Sequence, residues 1–228
     1  MRFIFIDEQT EKIYREILKK ITLSMNGVAA DLMREQGIKY EKNLGVSIVR
    51  LREIASEYQP SQKLSERLWK NNQRETRIMA FLLADNQKTT LESALEIAEK
   101  IDQPELAETG AMFLFSKLPF APEFCFRCIS SDKELTIMTG FLTAARIYEN
   151  FTFLQCDELI TNAFNMMETD SYYISKSVGL FLSRMCRIDK KTAQKIQYEI
   201  NKTQYFNAKY SGFIKDMVLQ EIEYFVHK

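Results

Sequence analysis

Residues Gly45 to Asp85 read GVSIVRLREIASEYQPSQKLSERLWKNNQRETRIMAFLLAD, and their pattern predicts three short amphipathic helices. Apolar residues recur at helical spacing in three successive groups, and polar or proline-containing breaks separate the groups. The groups are Ile48, Leu51 and Ile54, then Leu64, Leu68 and Trp69, then Ile78, Phe81 and Leu82. Helices this short cannot bury their apolar faces alone, so we expect them to stack in an α-solenoid or a bundle.

The helical pattern continues on both sides of this stretch, and no segment shows the alternation of a strand. Further helices are predicted over residues 8–25, 27–36, 91–98, 104–117, 122–130, 133–149, 154–168, 172–187, 190–201 and 206–226. Gly37 is predicted to end the second of the chain's helices as a C-terminal cap. Helix pairs recur at roughly 35–45 residues, the range of HEAT-type repeats, although periodicity alone leaves a non-repeat bundle open.

We therefore predict one all-α domain over residues 1–228, an α-solenoid of about 12 antiparallel helices. Leu118 to Pro122 is the clearest linker. It is the predicted midpoint between an N-terminal half (1–118) and a C-terminal half (121–228).

The composition limits the class of protein. The chain is 46% hydrophobic and 27% charged, as in ordinary globular proteins, and its 7 glycines and 4 prolines are too few for a many-turned β-sandwich or barrel. No run approaches the roughly 18 apolar residues of a membrane span. The apolar start is too short for a signal peptide, so we expect a cytoplasmic protein without a membrane partner.

The cysteines and the single histidine exclude several kinds of site. Cys125 and Cys128 form a C-x-x-C pair, but no second pair and no nearby histidine would complete a metal site. We therefore predict structural cysteines, and no metal or cofactor. His227 lies next to the C-terminus, which argues against Ser-His-Asp and Cys-His catalysis.

The charge is zero overall but unevenly distributed. Residues 101–170 (the acidic middle) contain 4 Lys/Arg and 11 Asp/Glu, whereas residues 171–215 contain 9 Lys/Arg and 2 Asp/Glu. Such asymmetry can mark a surface that faces a polyanion.

Several residues of the opening stretch also carry a family resemblance. They are Gly45-Val46, Leu51-Arg52, Leu68-Trp69 and the pattern Glu75-x-Arg77-x-x-Ala80. With these residues the chain resembles the DNA alkylation repair family, HEAT-like-repeat proteins whose active members are glycosylases that excise alkylated bases. The resemblance implies a HEAT-like-repeat fold.

The resemblance also implies where catalysis would occur. Excision needs a carboxylate near the sugar, aromatic faces for the cationic base and a basic surface for phosphates. Active members place an Asp one turn after a Trp, a second Trp on a later helix, and an Arg between. The corresponding residues here are Glu108 for the Asp, Pro104 and Leu180 for the tryptophans, and about Thr139 for the Arg.

These substitutions argue against the family's usual chemistry. Pro104 and Leu180 offer no π face, and the extra methylene of Glu108 can displace a catalytic oxygen by about 1 Å. The enzyme hypothesis keeps Glu108 as the catalytic carboxylate and Tyr172 or Tyr173 as a substitute stacking surface.

A basic segment is the stronger functional feature, because it would follow a phosphate backbone. It consists of Lys176, Arg184, Arg187, Lys190, Lys191 and Lys195. The alternative is a solvated face that balances the acidic middle. Lys70, Arg74 and Arg77 form a smaller basic cluster, although Arg77 could equally pair with Glu75 or with the acidic middle.

The predicted function is binding of duplex or damaged DNA, chiefly through the phosphate backbone, with Tyr172 and Tyr173 as further contacts. Two alternatives stay open at this point. One is an active alkylbase glycosylase that uses Glu108, and the other is a non-catalytic scaffold for a protein partner.

Overall fold

A computed structural model describes residues 7–202 and 209–226, which form helices joined by turns and loops. The described residues form thirteen α-helices, where about twelve were predicted, and their only β-structure is an isolated bridge between Lys42 and Gln73. The all-α prediction is therefore confirmed. The predicted start of the last helix, Phe206, lies outside the described residues, as does His227.

The chain divides into two compact units, the first ending at Thr90 and the second beginning at Leu91. The linker predicted at Leu118 to Pro122 lies inside the second unit. The helices of the first unit are α1 (Glu8–Leu23), α2 (Gly27–Glu35), α3 (Ile48–Ser56), α4 (Gln62–Trp69) and α5 (Arg74–Leu82).

The three short helices of the opening stretch are confirmed as α3, α4 and α5. Local capping explains where α3 and α4 begin, because the Ser47 and Ser61 side chains accept hydrogen bonds from the backbone N–H three residues on. Helix α4 packs on α5 and α1, and α3 packs on α5 and α1, so every short helix buries its apolar face. Leu51, Leu68 and Ile78 are fully buried in this core.

Two glycines in the first unit adopt a left-handed backbone. Gly37 follows α2 with φ of 85°, which confirms it as the predicted helix-ending glycine. Gly45 has φ of 68° and lies so close to the start of α2 that a Cβ would sit 2.1 Å from the carbonyl oxygen of Asn26. Only glycine fits there.

The second unit contains eight helices in alternating layers. They are α6 (Leu91–Glu99), α7 (Pro104–Phe113), α8 (Ala121–Ile129), α9 (Glu134–Arg146), α10 (Phe153–Asn165), α11 (Tyr172–Met185), α12 (Lys190–Lys202) and α13 (Ser211–Val226). The odd-numbered helices form one layer, in which α9 lies between α7 and α11, and α11 lies between α9 and α13. The even-numbered helices pack behind them.

Helix α9 is central to this unit. Every residue from Thr136 to Ala145 is buried, and Phe141 on α9 packs against Phe181 on α11 with ring centroids 5.7 Å apart. An all-round buried helix is expected for the middle of a helical layer.

Three predicted helices end earlier than expected. Their last turns are short 3-10 helices, at Phe115–Lys117, Tyr148–Asn150 and Met166–Glu168. Tightening of the last turn is a common way to satisfy the final carbonyl groups of a helix.

Candidate nucleic-acid interface

The basic segment lies on α11, on α12 and on the turn between them. Most of α11 is buried, and a stripe at four-residue spacing reaches its surface: Tyr172, Lys176, Leu180 and Arg184. Arg187 follows in the turn, and Lys190, Lys191 and Lys195 are exposed on α12. The structure thus places the two basic residues of α11 on one face.

Three of the six basic residues form ion pairs. The ammonium nitrogen of Lys176 lies 3.1 Å from Glu108 Oε1, and that of Lys195 lies 2.7 Å from Asp157 Oδ1. Arg187 donates to Glu221 at 2.5 Å, and this hydrogen bond raises the pKa of Arg187. Glu108 and Asp157 belong to the acidic middle, so part of the basic charge is balanced within the second unit.

The other three basic residues are Arg184, Lys190 and Lys191. Among the residues that the structure describes, they form no ion pair with a carboxylate. The nearby Asp189 carboxylate accepts a hydrogen bond from the Thr192 backbone N–H at 2.7 Å, which lowers its pKa. Its charge is therefore partly taken up by the start of α12 and partly balanced by the nearby charge of Lys191, whose ammonium also lies 5.9 Å from the Phe153 ring centroid.

Glu108 is the candidate catalytic carboxylate, and its surroundings are cationic. It projects from α7, while its partner Lys176 projects from α11, so the ion pair crosses α9. Both side chains are 45% exposed. A second cation, Arg146 at the end of α9, also interacts with Glu108. Burial lowers the pKa of Arg146, and the negative charge of Glu108 partly offsets this by favouring the charged guanidinium.

Tyr172 and Tyr173 begin α11 and remain partly in solvent, 45% and 37% exposed. Their rings contact each other with centroids 5.9 Å apart. The pair is thus a surface feature, and its rings are accessible to a ligand.

The sequence profile described as DNA alkylation repair enzyme matches residues 19–196, most of the chain. The chain belongs to the DNA alkylation repair family. The fold agrees with this assignment. A solved structure from "a new family of proteins related to the HEAT-like repeat DNA glycosylases with affinity for branched DNA structures" matches with a TM-score of 0.77. The match covers 91% of this chain and 94% of the solved chain, and the two sequences are 13% identical.

The fold is thus the HEAT-like-repeat fold that the resemblance implied. No curated protein matches the sequence significantly. Over residues 7–202 and 209–226, the structure contains no helix with the length and apolar character of a membrane span.

The residues predicted to correspond to the family's functional positions can now be located in the fold. Pro104 begins α7, one turn before Glu108. Thr139 is fully buried on α9, and its hydroxyl donates to the Leu135 carbonyl at 2.7 Å. Leu180 packs against the core of the second unit. The Glu108 carboxylate is therefore paired with Lys176, and neither Pro104 nor Leu180 supplies an aromatic ring.

The prediction of a smaller basic cluster at Lys70, Arg74 and Arg77 is wrong for Arg74 and Arg77, because both side chains are buried. Arg74 is only 1% exposed and donates to Glu75 at 3.2 Å and to the Val46 carbonyl at 2.8 Å. Arg77 is 9% exposed, with its guanidinium carbon 4.7 Å from the Trp69 ring centroid. Both arginines stabilise the fold of the first unit and are closed to DNA.

The sequence analysis overlooked the structural role of Glu75. Its Oε1 accepts from the backbone N–H of Leu44 at 3.0 Å and of Val46 at 3.4 Å, so it fixes the segment before α3 onto α5. Two signals were available, namely the place of Glu75 in the family pattern and the adjacent opposite charge of Arg74, but adjacent charge pairs are usually solvated.

The C-x-x-C pair lies on α8 within the core. Both thiols are fully buried, and burial raises the pKa of Cys125 and of Cys128. Burial also raises the pKa of Cys186 to about 12. Thiolates, the form that binds metals and attacks electrophiles, are therefore strongly disfavoured at these three positions.

Proposed function

We propose that this protein binds DNA through phosphate contacts from Arg184, Lys190 and Lys191, without excising a base. The observation that carries the proposal is that these three cations lie together at the α11–α12 turn with no carboxylate ion pair among the described residues. Cations that are not held in ion pairs by the described carboxylates displace counterions from DNA when they bind it, which is the main source of non-specific affinity for DNA.

Branched DNA is the first form of DNA to test. The similar solved structure belongs to proteins with affinity for branched DNA, and the fold it shares with this chain spans nearly the full length of both. A four-way junction also places more phosphates within reach of a small basic surface than a single duplex does.

The state of Glu108 supports binding without base excision. A carboxylate that stabilises a cationic sugar must face that sugar, whereas the Glu108 carboxylate faces the Lys176 ammonium at 3.1 Å. Pro104 and Leu180 also leave the two family tryptophan positions without an aromatic ring. The alternative, a glycosylase that uses Glu108, requires this ion pair to open when substrate binds.

One observation favours the protein-interaction scaffold as a second candidate. Lys176 and Lys195 pair with Glu108 and Asp157 of the acidic middle, which is the arrangement expected if the basic charge serves the fold. These two lysines are accordingly weaker candidates for DNA contacts than Arg184, Lys190 and Lys191.

The proposal is tested by anisotropy titration of a labelled four-way junction and of a matched duplex at low salt. The variant is Arg184→Ala/Lys190→Ala/Lys191→Ala. The matched control, Lys12→Ala/Lys19→Ala/Lys117→Ala, removes the same charge from three exposed lysines elsewhere. We expect the variant to bind at least tenfold more weakly than wild type and the control to change by less than about threefold.

The outcomes separate the three functions. Absence of binding by wild type at low salt would contradict both DNA functions and leave the scaffold. Equal loss in variant and control would contradict the assignment of the surface. Release of free base from alkylated DNA, abolished by Glu108→Gln, would establish the glycosylase.

A further inference from the structure

Four aromatic side chains cluster at the N-terminal ends of α11 and α13. Tyr172 is central: its ring centroid lies 5.9 Å from that of Tyr173, 5.6 Å from that of Tyr210 and 6.3 Å from that of Phe213. Tyr172, Tyr173 and Phe213 are 45%, 37% and 41% exposed. Rings that served only the core would be covered, so this aromatic cluster presents π surface to solvent.

The polar groups of the cluster are also available. None of its three tyrosine hydroxyls forms a hydrogen bond with another of the described residues. The cluster therefore combines exposed ring faces with free hydroxyl groups, a combination that suits a flat ligand with polar edges, such as a nucleobase.

The charges around the aromatic cluster are mixed. Lys176 lies one turn from Tyr172 on the same face of α11, and the Lys209 ammonium lies 5.1 Å from the Tyr210 ring centroid. Opposing them, Glu134 accepts a hydrogen bond from the Ser171 hydroxyl, and Asp170 is exposed beside it. A strong phosphate site would be uniformly basic, so the cluster favours bases over backbone.

The basic residues lie at the other end of the same helix. Tyr172 and Arg184 are twelve residues apart on α11, which is about 18 Å along the axis. At about 3.4 Å per nucleotide, a strand held by its phosphates at Arg184 reaches the aromatic cluster after roughly five nucleotides. Paired bases would be hidden inside the duplex at that point, whereas unpaired bases would be free to stack.

We propose that the aromatic cluster of Tyr172, Tyr173, Tyr210 and Phe213 binds unpaired nucleobases next to a branch in DNA. The proposal rests on the proposed function, because the phosphates of the same strand contact the basic residues. Stacking on aromatic rings is tolerant of sequence, so the cluster selects for unpaired structure and not for a particular base.

The test compares a fork with unpaired five-nucleotide arms with a fully paired duplex of the same sequence. We expect wild type to bind the fork at least fivefold more tightly. Phe213→Ala should remove most of this preference and leave duplex affinity unchanged. Tyr172→Ala should weaken binding of the fork more than binding of the duplex, while Tyr172→Phe, which keeps the ring, should retain the preference.

Tyr198→Ala is the matched control. Tyr198 is a 64% exposed tyrosine on α12 with the Lys202 ammonium 3.9 Å from its ring centroid, so it reproduces the chemistry outside the cluster. We expect this variant to keep the fork preference.

Two results would overturn the inference alone: duplex binding by wild type without a fork preference, or equal loss on fork and duplex in Tyr172→Ala. Failure of wild type to bind either DNA at low salt would overturn the proposed function as well. The two failures are therefore distinguishable in one titration series.

Discussion

Glu108 and Lys176 form a half-exposed ion pair across α9, and its charge bears directly on function. Half-exposed pairs contribute at most about 1 kcal/mol, so Glu108→Gln should leave the free energy of unfolding almost unchanged. The substitution also removes a negative charge and frees Lys176 for phosphate. We therefore predict that Glu108→Gln binds DNA a few-fold more tightly than wild type, measured by titration at fixed salt. Weaker binding would contradict this account of the pair.

Glu75 connects the segment before α3 to α5 in the first unit. It is fully buried beside Arg74, and its carboxylate accepts from two backbone N–H groups. Removing one partner of a buried pair leaves the other charge uncompensated. We predict that Glu75→Ala lowers the free energy of unfolding by about 3–5 kcal/mol, measured by urea denaturation.

Glu16→Ala is the control for this substitution, because Glu16 is an exposed residue of α1 with no ion pair among the described residues. Its effect should stay within about 0.5 kcal/mol. Similar losses in the two variants would show that the Glu75 network has no special role.

At the residue scale, the identity of a side chain can be used directly from the sequence, whereas its burial cannot. That Pro104 and Leu180 offer no aromatic ring was readable directly, because it depends only on residue identity. The burial of Arg74 and Glu75 could not be predicted from the sequence, because their charges are covered only when the segment before α3 folds onto α5.

At the scale of elements, α9 packs on α8 at a glycine. A Cβ on Gly140 would lie 2.9 Å from both Cys128 Cβ and Ile129 Cγ1, whereas a Cβ on Gly212 of α13 would meet nothing within 4 Å. We predict that Gly140→Ala destabilises by about 1–3 kcal/mol because the helices must separate. Gly212→Ala should be neutral or stabilise by up to about 1 kcal/mol, through helix propensity. Thermal denaturation of both variants tests the contrast, and equal effects would contradict it.

The start of α1 predicts a pH dependence. Asp7 caps this helix, and its hydrogen bond from the Thr10 backbone N–H, helped by Lys63, lowers the Asp7 pKa from 3.8 to about 2. A depressed pKa stabilises the fold above pH 3.8, and this contribution is lost as the pH falls toward 2. Asp7→Asn keeps a capping oxygen without the charge.

Wild type should therefore be more stable than Asp7→Asn at pH 6, and the difference should shrink steadily as the pH falls to 2 and vanish below that pH. Urea midpoints at several pH values measure this difference. A difference that persists unchanged at pH 2 would show that the charge of Asp7 is not its source.

Helix starts were predicted more closely than helix ends, for a physical reason. Starts carry a local signal, as at Ser47 and Ser61, where the capping side chain lies within three residues of its partner. Ends such as those of α7 and α9 tighten into 3-10 turns, and this depends on what the last turn packs against.

At the scale of the whole molecule, the sequence predicted the helical fold but only part of the candidate interface. Apolar periodicity and family residues sufficed for the fold. Pairing within the basic segment was hidden because Lys176 meets a carboxylate 68 positions away, and Lys195 meets one 38 positions away. Only the folded second unit shows that these two lysines form ion pairs, whereas Arg184, Lys190 and Lys191 form none with the described carboxylates.

The salt dependence of DNA binding tests the central claim most directly. The logarithm of the binding constant for the four-way junction is plotted against the logarithm of salt concentration, for wild type and for Arg184→Ala/Lys190→Ala/Lys191→Ala. If three phosphate contacts are lost, the slope should become shallower by about 2–3. Parallel lines, or no binding by wild type at any salt concentration, would contradict the claim that this surface holds the phosphate backbone.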